Sequence, residues 1–168
     1  YVLRTKLVTD SEIFGIDSQA GSQEHSLEVQ VPFIQFLNPQ AKILPITISA
    51  HNVGQLIAAG KEIARLVNDH PDTLIVASTD MSHYVDAETA KEKDNLAIEK
   101  ILALDPKGLF QVVNSQRISM CGVCPTVMLL SAALDIGAKK AEVIDYTNSG
   151  AASGDYEQVV AYLSVMVY

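Results

Sequence analysis

The sequence predicts an α/β domain: a three-layer α/β/α sandwich around a mixed central sheet. Three observations carry this expectation. Short apolar runs rich in β-branched residues, of which LIVA (74–77) is the clearest, read as buried strands. Between them lie segments whose apolar residues recur at helical spacing, such as Leu56, Ile57, Ile63, Ala64 and Val67. The resulting order β, α, β, α, β, α, α, α, β, β places helices against a sheet with both parallel and antiparallel neighbours.

Taken in order, YVLRTKLV (1–8) alternates as a strand, and residues 9–23, with two glycines and many small polar side chains, read as a loop. EHSLEVQVPFIQFL (24–37) fits both periods; a helix is preferred, because Pro32 is tolerated near the first turns of one. AKILPITI (41–48) reads as a strand in which Pro45 suits an edge or a bulge. Asn52 can cap a helix over 53–68, Pro71 ends it, and the strand 74–77 follows. That is a βαβ unit, for which parallel pairing and a right-handed crossover are the default. A helix over 86–104 buries Ile98 and Ile101 together with Leu96 and Leu102. Asp105-Pro106 then opens a short helix reaching about Asn114. SQRISMCGVCP (115–125) reads as a loop, and the apolar helix 126–136 ends at Gly137. Strands over 140–148 and 159–167 close the chain, joined by the flexible connector NSGAASGD.

A chain of 168 residues suits a single domain, expected to run over 1–168. At 48% hydrophobic and 19% charged it is neither disordered nor fibrous. The net charge of −8 and the scattering of its 12 lysines and arginines argue against a nucleic-acid partner. A small molecule, a peptide or another protein is the expected partner. No apolar run approaches the roughly 18 residues a membrane span needs, and no secretory signal is visible. Two cysteines are few enough for a reducing cytoplasm, the expected location. The chain opens at Tyr1, without a methionine and inside a strand-like run, so a preceding segment is expected.

Chemistry concentrates in STDMSHY (78–84), where the apolar run turns abruptly polar. Asp80 and His83 lie three apart just past a buried strand, where open α/β sheets place their sites. Two readings stand side by side. In one, Asp80 caps a turn and His83 is a loop residue. In the other, the carboxylate orients an imidazole that acts as general acid or base near neutral pH, or as a metal ligand. His25 follows Glu24 at an element boundary and is either a polar cap or a site residue, whereas His51 and His70 read as ordinary surface. CGVC (121–124) lacks the second pair a zinc ribbon needs, and as part of a loop it lacks the helix-opening context of a thioredoxin-like motif. One cysteine from this loop combined with His25 and His83 would make a mixed nitrogen and sulphur site suited to iron, copper or zinc.

Three segments, EHSLEVQVPFIQ, IVASTDMSHY and CGVCPTVMLL, resemble in order and separation the signature segments of the Memo family, known in prokaryotes as the AmmeMemoRadiSam system protein B. The closing DYTNSG segment is similar to the end of the same family, so the likeness spans nearly the whole chain. The resemblance implies a LigB-like fold, that of the class III extradiol dioxygenases, and a non-haem metal pocket with two histidines and a cysteine as ligands. Matched position by position, His25 and Cys121 are implied as metal ligands. Asp80 and His83 are implied as lining the same pocket, with His83 in an acid/base role, and Cys124 as incidental. The implied metal is iron first, with copper or zinc as alternatives. The family's first ligand histidine belongs to a PHAGY-like motif that does not occur in these 168 residues. The expected function is a metal-dependent, dioxygenase-type oxidoreductase; the alternative is a non-catalytic binding or scaffold module using the same pocket for a peptide or carboxylate. Self-association through an exposed sheet edge is a further expectation.

Overall fold

The computed structural model describes residues 2–22 and 24–168; Tyr1 and Gln23, which fall in the predicted first strand and loop, lie outside the described residues. The described residues form seven helices and three strands. The longest helices are α3 (Val53–Asn68), α4 (Ala87–Leu102) and α6 (Val123–Asp135). The shorter ones are α1 (Val2–Thr9), α2 (Val31–Leu37), α5 (Pro106–Ser115) and the single turn α7 (Gly150–Ser153). The strands β1 (His83–Val85), β2 (Ala141–Asn148) and β3 (Val159–Val167) make an antiparallel sheet in the order β1-β3-β2.

The helices begin where local chemistry places them. Asn52 accepts from the backbone N–H of Gly54 and Gln55 at 2.9 and 3.2 Å, satisfying donors that the first turn of α3 leaves open. Asp86 caps α4 through Thr89 N–H, and Asp105 caps α5 through Gly108 N–H ahead of Pro106. Pro32 lies at the start of α2, as the helical reading of that segment requires. The core is the space between α3, α4, α5, α6 and the inner face of β3. It is filled by Leu56, Ile63 and Val67, by Ile98, Ile101, Leu109 and Val113, by Val127 and Leu130, and by Val159 and Ala161. Helices α3 and α6 approach closely at Gly60, where a Cβ would stand 2.5 Å from the Met128 carbonyl oxygen.

Several expected elements differ. Residues 2–9 are helical rather than a strand: Leu3 and Leu7, four apart, turn inward, with Leu7 buried, and Lys6 pairs with Asp69 at the end of α3. Packing of one side chain per turn against a ready-made helix has overridden the weak alternation. The segments 41–48 and 74–77 are extended but make no ladder. Their burial still alternates, with Ile46, Ile48 and Ile75 packed on the core and Leu74 exposed at 84%. Backbone pairing starts only at Met81, whose N–H donates to Ala161 O at 2.8 Å, and the Ala161 N–H returns to Ser82 O. The parallel βαβ pairing therefore does not occur among the described residues. The helix expected over 126–136 is α6, which starts at Val123, so CGVC opens a helix instead of lying in a loop.

Because a methyl group at Gly60 would strike backbone rather than a flexible side chain, Gly60→Ala is expected to destabilise the fold by about 1–2 kcal/mol. This is net of the ~1 kcal/mol that alanine gains over glycine in helix propensity. Urea denaturation measures it; an alanine variant at least as stable as the parent would show that α3 and α6 are not packed this way.

Candidate metal and acid/base site

The site forms where the extended segment 73–82 meets the opening of α6. Gly122 is the reason they can meet: its Cβ, were there one, would lie 2.3 Å from Thr79 Cβ. In its absence the Gly122 N–H donates to Thr79 Oγ1 at 2.8 Å. That contact brings the preceding residue, Cys121, over Asp80, whose backbone N–H donates to the Cys121 sulphur at 3.2 Å. The sulphur also lies 3.8 Å from the Asp80 carbonyl oxygen, so the Cys121 side chain is seated on the Asp80 backbone.

His83 is held by three contacts to Ser119. Its backbone N–H donates to Ser119 Oγ at 2.7 Å, and the Ser119 hydroxyl reaches back to the His83 carbonyl at 3.3 Å. Its ring Nδ1 lies 2.7 Å from the Ser119 carbonyl oxygen. A carbonyl only accepts, so Nδ1 carries the proton and in the neutral ring Nε2 is the nitrogen with a free lone pair. Nε2 faces Asp80 Oδ2 at 3.5 Å. Tyr84, next along, takes a left-handed backbone (φ 55°) at the irregularity where β1 and β3 lose register. Such a bulge re-aims the side chain before it, here His83. Asp80, His83 and Cys121 each present one donor atom, and the three atoms lie within 4.8 Å of one another.

A buried carboxylate backs this segment. Asp94, fully buried on α4, accepts from Ser82 N–H at 3.0 Å and Ser82 Oγ at 2.8 Å through one oxygen, and from Tyr146 O–H at 2.8 Å through the other. Burial pushes the Asp94 carboxyl above the usual aspartate range, against the lowering effect of those hydrogen bonds. Burial, reinforced by Asp94 beside it, also pushes the Tyr146 hydroxyl up.

Of the residues singled out in the sequence, the structure thus brings Asp80, His83 and Cys121 together. His25 is exposed, with Nδ1 paired to Glu28 Oε1 at 3.0 Å, and is not one of the three converging donors. Its segment is nonetheless stitched to the site: the Ser78 hydroxyl donates to Ser26 O at 2.7 Å, and the Gln30 amide donates to Ser78 Oγ. Cys124 is half-buried in the first turn of α6, and burial pushes its thiol up. Sequence reasoning missed Ser119 and Asp94. Ser119 stands two residues before Cys121 without a motif of its own; the signal for Asp94 was an aspartate on the otherwise apolar side of α4.

The Memo-like protein family matches residues 2–166. A MEMO1 family protein of Sulfurisphaera tokodaii is 43% identical over 164 residues, which are 95% of this chain and 57% of that protein. One of Aquifex aeolicus is 42% identical over 151 residues, 89% of this chain and 56% of the relative. Another, of Methanopyrus kandleri, is 35% identical over 164 residues, 96% and 58%. The chain therefore spans less than three fifths of the length of these relatives.

The raised Asp94 carboxyl has a consequence for stability. The folded state holds its proton at a pH where the unfolded chain has released it, so this contribution is fully present below the ordinary aspartate value and is lost as pH rises through Asp94's own value. Asp94→Asn removes that step. Stability of the parent relative to the variant, from urea melts between acid and neutral pH, is expected to fall with rising pH across that window. A difference that stays flat contradicts the assignment.

Proposed function

The chain belongs to the Memo-like family, and from that premise we propose that it holds a transition metal at Cys121 and works as a metal-dependent, dioxygenase-type oxidoreductase. The observation that carries the proposal is the convergence of Asp80, His83 and Cys121 within 4.8 Å on the anchoring Gly122–Thr79 contact. The donor set fits such an ion: a thiol, an imidazole and a carboxylate together suit borderline metals, iron first and copper or zinc as alternatives. His25 is the second ligand in this proposal, reached when its ring leaves Glu28. Support comes from the bonds that tie Ser26 and Gln30 to Ser78.

When bound, iron or copper would supply Lewis acidity and one-electron chemistry, and zinc Lewis acidity alone. The chain's own contribution is proton handling. With Nδ1 committed to Ser119, His83 has a single free nitrogen, and that nitrogen faces the Asp80 carboxylate at 3.5 Å. His83 therefore takes a proton from a substrate hydroxyl at Nε2 and returns it later, and Asp80 keeps the charged ring in place. A second reading is favoured by the 4.8 Å grouping itself: His83 and Asp80 are ligands, and the same nitrogen is then not free for proton transfer.

The finer fold expectation, a LigB-like three-layer sandwich with a mixed sheet, is part of the proposal. It is supported by the two extended segments that present one face to the core and the other outward. That outer face carries Leu74 and Val76, and α2 adds Phe33, Phe36 and Leu37, all exposed. Exposed apolar surface of this kind marks an association site, and self-association of this chain through it is proposed.

Metal analysis and zinc or iron(II) titration of the purified chain test the site. Loss of an outer partner costs a metal site about 10–100-fold, so Cys121→Ser is expected to weaken binding by more than ~100-fold, and His25→Ala likewise. His83→Ala is expected to keep the metal and lose proton-coupled turnover; if it loses the metal while His25→Ala retains it, the second reading holds. No metal bound by the parent sinks both. Sedimentation tests association: a stable monomer in dilute solution counts against it.

A further inference from the structure

Cys124 plays no part in the function proposed above, yet the fold sets it one turn from Cys121. Helix α6 opens at Val123, with Gly122 as its N-cap at φ −100° and ψ 32°. The chain therefore turns through Gly122 and Val123 between the two cysteines. Cys121 stands one residue before the N-cap of the turn that carries Cys124, and in an α-helical turn residues three apart have Cα atoms about 5 Å apart. That overlaps the separation of roughly 4.4–6.8 Å that a disulfide spans. Both cysteines are free thiols; Cys121 is exposed and Cys124 half-buried. An accessible cysteine just ahead of a helix, with a second, more sheltered one in its first turn, is the arrangement in which the first reacts and the second resolves.

We infer that Cys121 and Cys124 are a redox pair, closing a reversible disulfide that takes the Cys121 sulphur away from Asp80 and His83. The loss of metal this entails rests on the metal reading above; the pair itself does not. The oxidant is a low-molecular-weight disulfide of the glutathione class. The Cys121 sulphur attacks one of its sulphurs, that S–S bond breaks, and one thiol leaves with the Cys121 proton. The Cys124 sulphur then attacks the Cys121 sulphur of the mixed disulfide, and the second thiol leaves with the Cys124 proton. Two protein thiols are oxidised to one S–S bond, and the small disulfide is reduced to two thiols. In the closed form the Cys121 sulphur has no negative charge to offer a metal, and the Asp80 N–H loses its best acceptor.

The experiment uses the chain as it stands, treated with oxidised glutathione and afterwards with dithiothreitol. Intact mass and peptide mapping are read for the parent, Cys121→Ser and Cys124→Ser, and zinc titration for the reduced and oxidised parent. The parent is expected to lose two hydrogens in a peptide joining Cys121 to Cys124 and to retain no glutathione. Cys124→Ser is expected to stop at a glutathione adduct on Cys121. Zinc affinity should fall by more than ~100-fold on oxidation and return on reduction, as for loss of a ligand. A parent that keeps glutathione on Cys121, or links two chains through it, overturns the pair. An oxidised parent that binds zinc as the reduced one does overturns the switch. A reduced parent that binds no zinc fails the metal reading instead, and the mass result then decides the pair alone.

Discussion

The approach of Gly122 to Thr79 is the contact on which the site depends. Any side chain at 122 would overlap Thr79 Cβ and the Ser78 carbonyl, so the extended segment and the start of α6 could not share a hydrogen bond. With glycine there, Thr79 accepts from Gly122 N–H and donates to Asp80 O, and the adjacent Asp80 N–H meets the Cys121 sulphur. One missing Cβ thus links two stretches some 40 residues apart in sequence, and it places a sulphur beside a carboxylate and an imidazole. The arrangement costs little because the groups that meet are backbone donors and a hydroxyl whose bonds are all satisfied within the contact.

The opposite side of the segment is stiffened from the core. Asp94 takes both donors of Ser82, the residue between Met81, which is fully buried, and His83. Tyr146 ties the same carboxylate to β2, so α4, the site segment and the sheet share one buried polar node. A buried group of this kind is destabilising unless every bond is made, and here no buried side-chain polar atom among the described residues lacks a partner. Rigid support on one face and Ser119 on the other leave His83 little freedom. Its single available nitrogen is consequently fixed in direction.

What the sequence shows well is what short-range chemistry decides. The caps at Asn52 and Asp105 place the starts of α3 and α5 within a residue or two, because each side chain bonds to backbone two or three positions away. The closing strands are equally legible, since their apolar runs end at a glycine-rich turn. Residues 2–9 were not, because a run of eight residues has too few turns to separate period two from period 3.6; packing of Leu7 on the core settles it. Within the site, Asp80 and His83 were legible as a polar burst after an apolar run, and Cys121 through likeness to a family. Ser119 and Asp94 act through contacts 36 and 12 residues away, which no local pattern records.

The sulphur of Cys121 and the nitrogen of His83 are constrained in complementary ways, and the difference shapes what the site can do. His83 is limited by its ring: one nitrogen is committed to Ser119, so binding a metal and moving a proton compete for the other. Cys121 is limited by its place in the chain: it stands three residues before Cys124 at the opening of α6, with its sulphur on the Asp80 N–H. In the redox pair inferred above, the sulphur would be open to a metal only in the reduced form. The ring nitrogen, the sulphur and the Asp80 carboxylate thus meet within 4.8 Å, with His83 placed by its contacts to Ser119 and Cys121 by its contact to the Asp80 backbone.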